Sequence, residues 1–183
     1  MHVAYEEVMT TNAKSVRRPT PNLPVKDAYG RLDFKVDVNC NLEELRARCR
    51  DEANRVDELA KQVEQVAERL VRYGNHNGQR QAFTHALWMY RVTREFGPDV
   101  AKSFGDAYEM RAMGPVGERL MNLFNNGVGR VMAKDATNHG LSDINLILNS
   151  LQEGALQTWA DPSYALIPSD KTTVGARKYH GFL

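Results

Sequence analysis

The residues best able to do chemistry gather in the middle of the chain. His85 stands inside "AFTHALWMY" and shares a helical face with Gln81, Trp88 and Val92 at spacings of 4, 3 and 4. An imidazole between such apolar neighbours is partly or wholly buried and needs a partner for each ring nitrogen it uses. Alone it reads as a satisfied core histidine; beside an acid it becomes a general base or a metal ligand. Asp106 and Glu109 lie one helical turn apart with Tyr108 between them. Paired acids can share a metal or divide acid and base roles, and otherwise form a solvated face. In "MNLFNNGVGR", Asn122, Asn125, Asn126, Gly129 and Ala133 make one stripe, while Leu120, Leu123, Phe124, Val128 and Val131 make an apolar one. Asn and Gly are poor helix formers. Their concentration here is explained if the amides face a polar interior opposite His85 and Glu109, or if they bind helix ends and loops. Gly129 admits a close neighbour. The expectation is that His85, Glu109, Asn125 and Asn126 surround one pocket. There is no phosphate-binding glycine loop, HExxH, GxSxG or other nucleophile signature. His76, His139 and His180 fall in turns or the tail and read as surface residues.

The elements that must position these residues are helices. The spacing predicts an all-α fold, a single bundle of about five helices over 41–160. An extended N-terminal arm at 1–40 and an irregular tail at 161–183 flank it. Pro19, Pro21 and Pro24 mark the arm, and "RLDFKVDV" alternates in a strand-like period. "NLEELRARCRDEANRVDELAKQVEQVAERLVRY" reads as one long helix from 41 to 73, with Asn41 as its cap. Leu42, Cys49, Val56, Val63 and Leu70 share one heptad position, and Leu45, Glu52, Leu59, Val66 and Tyr73 the next. That seam suits a core helix, or a coiled coil meeting a partner. Further helices are expected at about 79–96, from Pro98 to about 112, at 117–136, and from Ser142 to about Trp159.

The chain has 183 residues, 42% hydrophobic and 26% charged, with a formal net charge of +1. This is ordinary for a single domain with a real core. It argues against nucleic acid as a partner, since no global field draws the chain to phosphate. Cys40 and Cys49 are the only cysteines, too few for a disulfide framework or a Cys-based zinc site. No segment approaches the ~20 apolar residues of a membrane span, and the first thirty residues hold no signal-like apolar run. Synthesis in the cytoplasm is expected, with export by a signal-independent route left open.

"QAFTHALWMYRVTREFGPDVAKSFGDAYE" followed by "GPVGERLMNLFNNGVGR" resembles an uncharacterised bacterial helical domain. That domain recurs at the C-termini of Rhs-type and other polymorphic toxin proteins, and as short stand-alone chains. Its pattern is D-A-x-R-H-x-x-W, then a small-residue helix ending in H-E, then P-G-E-x-x-M-D-L-x-N-N-x-x-G-R. The likeness covers residues 81–130. His85, Trp88, Glu109, Gly117, Glu118, Met121, Leu123, Asn125, Asn126, Gly129 and Arg130 agree with it. Gln81 stands for its Asp, Thr84 for Arg, Tyr108 for His and Asn122 for Asp. The resemblance implies a toxin or effector domain. Its hydrolase-like site would use His85 and Glu109 catalytically, with Trp88, Glu118, Asn122, Asn125, Asn126 and Arg130 lining or orienting. The lost carboxylates and imidazole imply no bound metal, and no cofactor is expected. The other reading is a non-catalytic scaffold that holds a protein partner, or a second copy, through residues 41–73 and the arms.

Overall fold

A computed structural model describes residues 41–71, 78–112, 114–135, 140–160 and 165–171. The arm at 1–40, with its strand-like stretch, lies outside them, as does most of the tail. The described part is all-α apart from one small hairpin: six helices, two short strands and a 3-10 turn.

The expected helix at 41–73 is two helices. α1 (Leu42–Arg48) opens on Asn41, whose side chain accepts the Glu43 N–H at 2.9 Å. Cys49, at φ −125° and ψ 59°, leaves helical geometry, and α2 (Arg50–Leu70) follows. The heptad period runs through the break, so it gave no warning. Backbone pairing also survives there, since Cys49 N–H still reaches Leu45 O and its carbonyl takes Ala53 N–H, both at 2.9 Å. Arg46 braces the corner with a two-pronged pair to Asp57 at 2.8 Å. Ala53, Val56, Leu59, Val63 and Ala67 of α2 are buried, and α2 packs on α3 (Gln79–Phe96) of the same chain.

α3 is the hub. It is buried almost all round, through Ala82, Phe83, Ala86, Leu87, Met89 and Val92, as befits a helix surrounded by others. Gly97, at φ 86°, ends it in a conformation that favours glycine, and Pro98 opens α4 (Pro98–Arg111) at a first-turn position. α5 (Val116–Asp135) crosses α3 closely at Gly129, where a Cβ would lie 2.1 Å from Ala86 O. Of its expected apolar stripe, Leu123, Phe124 and Val128 are buried and Val131 is half-buried, but Leu120 is exposed. α6 (Asp143–Gln152) starts at Ser142, whose hydroxyl accepts the Asn145 N–H at 3.3 Å.

The last expected helix stops at Gln152 and does not reach Trp159. Gly154 takes φ 76°, and a Cβ there would sit 2.4 Å from Asp170 Oδ1, so the chain turns where only glycine fits. β1 (Gln157–Ala160) then pairs antiparallel with β2 (Ala165–Pro168), with Thr158 opposite Ile167 and Trp159 opposite Leu166. Part of the tail expected to be irregular is therefore strand, followed by a 3-10 turn at Ser169–Lys171. Ser169 fastens this hairpin: its N–H reaches Leu156 O at 2.8 Å, its hydroxyl Leu151 O at 2.7 Å, and its carbonyl takes Gln79 Nε2 at 2.8 Å.

Candidate functional site

Three helices bring the site together. α3 supplies Gln81 and, one turn on, His85; α4 supplies Glu109; α5 supplies Glu118, Asn122 and Asn126 at four-residue spacing along one face. His85 Nδ1 lies 3.1 Å from Asn126 Oδ1 and 3.4 Å from Glu109 Oε1. An amide oxygen only accepts, so in this orientation Nδ1 carries the imidazole proton; the network assigns the tautomer. Asn122 Nδ2 donates to Glu109 Oε2 at 3.0 Å, and its Oδ1 accepts from Gln81 Nε2 at 3.1 Å. Gln81 Nε2 also donates to Glu118 Oε1 at 2.9 Å. The network thus runs from a half-buried acid through two amides to a buried acid and an imidazole.

Burial sets the protonation states. Glu109 is 1% exposed, and desolvation pushes its carboxyl up to about 7. The Asn122 hydrogen bond opposes that rise, while the Glu118 charge adds to it. Desolvation lowers His85 to about 4, against the Asn126 hydrogen bond. The contact at 3.4 Å is therefore a neutral imidazole facing a carboxyl that gains and loses its proton near neutrality, not a fixed ion pair. Glu109 Oε1 has no hydrogen-bond partner among the described residues.

The other candidates separate. Trp88 walls the imidazole edge-on, with ring centres 6.2 Å apart, and stacks edge-on against Tyr108 at 5.3 Å. Its indole N–H points away, to Val56 O at 3.1 Å. Asn125 is not in the His85 network, which corrects the expectation that both asparagines line one pocket. It clamps β1 instead, accepting the Gln157 N–H and donating to the Gln157 carbonyl, both at 2.9 Å. Neighbouring helical residues point some 100° apart, so two adjacent amides serve two different walls. Asp106 is buried and takes Lys102 Nζ rather than sharing a ligand with Glu109. Arg130 reaches toward Gly105 of α4. Among the described residues, no group of three or more His, Cys, Asp or Glu is placed to hold a metal ion. Gln81 belongs to the network; the sequence placed it on the His85 face, one turn before the imidazole, and also as a lost carboxylate, but did not count it among the site residues.

The fold and this centre define a small all-α domain built around a buried imidazole, carboxyl and amide network. The chain belongs to the family described as Domain of unknown function (DUF6973), which matches residues 49–155 and so spans the whole network. No curated protein and no solved structure matches the chain.

Proposed function

We propose that this is a hydrolase-like domain of the toxin or effector kind, with Glu109 as the general acid–base and His85 as the imidazole that faces it. One observation carries the reading: His85 Nδ1 faces Glu109 Oε1 at 3.4 Å in a buried setting that brings the carboxyl to about 7. A group that titrates near the working pH is best matched to taking a proton from water and returning it to a leaving group. With a pKa lowered to about 4, His85 is the weaker base of the two, which exchanges the roles the residue types alone suggest. Its Nδ1–H is held by Asn126 and lies beside the carboxylate that forms, with Nδ1 3.4 Å from Oε1, while Asn122 fixes the acid. The toxin or effector setting rests on the sequence likeness over residues 81–130.

The second reading, a non-catalytic scaffold, is favoured by two grooves that lie away from the centre. A groove of about 590 Å³ is lined by Arg55, Tyr90, Arg91, Arg94 and Asp143, and one of about 340 Å³ by Leu42, Ala107 and Met110. Neither is lined by His85 or Glu109. Controlled expression in a bacterial cytoplasm and periplasm separates the two. The enzyme reading expects the native chain to slow growth, and E109Q and H85N, accumulating equally as folded protein, to be harmless. Growth equal to an empty vector with the native chain soluble in both compartments removes the hydrolase-toxin reading and leaves the scaffold.

A further inference from the structure

Beside the His85–Glu109 contact, two buried donors have nothing to donate to. Asn126 is 0% exposed; its Oδ1 takes the imidazole contact, and its Nδ2 has no hydrogen-bond partner among the described residues. Arg130, one turn further along α5, has a buried Nη1 in the same condition. Arg130 makes no ion pair among the described residues, and the Asp106 carboxylate whose charge acts on it is held by Lys102. Both orphaned nitrogens converge on one spot of α4. A Cβ at Gly105 would lie 3.4 Å from Asn126 Nδ2 and 3.7 Å from Arg130 Nη1. The same point is 2.8 Å from Met89 Sδ, the far end of a flexible side chain. Glu109 follows Gly105 by one turn on α4, so the acid of the site and this spot share one helix face.

A buried donor left unpaired costs roughly 1–3 kcal/mol, and a charged one more. Two of them aimed at one glycine, next to an acid–base pair, are the arrangement that receives a negatively charged oxygen. We propose that Asn126 Nδ2 and Arg130 Nη1 form an oxyanion subsite over Gly105 that takes a carboxylate oxygen of the substrate, with the Met89 thioether moving aside to admit it. The inference deepens the proposed acid–base reading by naming the substrate class, a carboxylate-bearing compound, and rests on that reading for its catalytic meaning. The missing side chain at Gly105 supplies the approach, and the guanidinium selects an anion over a neutral carbonyl.

Binding can be read without any activity. Full-length ¹⁵N-labelled protein is titrated with sodium formate at constant ionic strength, following the Asn126 side-chain amide, with formamide as the neutral isostere. The expected result is a saturable shift with formate and none with formamide. R130Q should weaken formate about 10-fold or more, the loss of one charge-assisted hydrogen bond. M89A, which clears the entrance, should tighten it, and the rest of each spectrum shows whether the variant is folded. Should R130Q fail to fold, R130K, which keeps the charge but loses the planar fork, takes its place with the same expected direction. A linear, unsaturable formate response, an equal response to formamide, or saturation unchanged in the folded Arg130 variant overturns the subsite. Those outcomes leave the growth experiment untouched, so the subsite and the acid–base reading fail separately.

Discussion

His85 and Glu109 pull stability in opposite directions with pH. Glu109 rises in the fold from its ordinary 4.5 to about 7, so the stability it contributes is full below about 4.5 and is lost as pH climbs through 7. His85 drops from 6.5 to about 4, so its contribution is present above about 6.5 and is lost as pH falls through 4. Between those limits one group binds a proton on folding while the other releases one, and the slopes cancel. The native chain should therefore show nearly flat unfolding free energy from about pH 4.5 to 6.5. In H85N the Glu109 slope stands alone, and stability should fall by roughly 3 kcal/mol from pH 4.5 to 8, at about 1.36 kcal/mol per unit. In E109Q the opposite slope should appear, rising from pH 4 to 6.5. Urea denaturation at stepped pH measures all three; parallel curves would mean that the two groups do not titrate as the burial dictates. Helical spacing made Asn122, Asn125 and Asn126 legible as one polar stripe, and the expected pocket joined His85 and Glu109 to Asn125 and Asn126. That spacing could not tell that Asn125 faces away, since the strand that Asn125 holds was itself read as helix.

That strand shows where element-level reading stops. "QTWA" continues an apolar period after α6, and only the left-handed turn at Gly154 ends the helix. A glycine near a helix end was a visible signal, but the carboxylate of Asp170 against it was not. The corner at Cys49 was hidden more completely, because the heptad pattern crosses it without a slip. Two substitutions test the contacts that set these elements. Asn125→Ala strands both the N–H and the carbonyl of Gln157 in a buried place, and should cost roughly 2–4 kcal/mol in urea denaturation, from two lost hydrogen bonds and their unpaid desolvation. A cost below 1 kcal/mol would mean that β1 is held by its partner strand alone. Gly129→Ala gains about 1 kcal/mol of helix propensity. It also drives a Cβ to 2.1 Å from the Ala86 carbonyl, where the obstacle is backbone and cannot rotate away. Overpacking of that kind costs about 1–3 kcal/mol or more, so the net effect should be destabilising; a raised melting temperature would refute the close crossing of α3 and α5.

On the scale of the whole molecule, the helical bundle was the most legible property and its lower edge the least. Reading 41–160 as self-sufficient leaves out β2 and Ser169, which ties Leu151, Leu156 and Gln79 together. A chain ending after Lys171 should keep the urea midpoint of the full protein, and one ending after Ala160 should lose cooperative unfolding or shift well below it. Equal midpoints would show the hairpin to be an ornament on the bundle. Asn125 and Asn126 give that hairpin a further meaning. One amide grips β1 and its neighbour grips the imidazole, on a single stretch of α5 backbone. A ribosome delivers α3, α4 and α5 first, and these can collapse together while Asn125 still lacks its strand. The two hydrogen bonds between Asn125 and Gln157 form only once β1 has emerged. A chain that stops short of Gln157 carries His85, Glu109 and Asn126 without the clamp that Asn125 makes on β1.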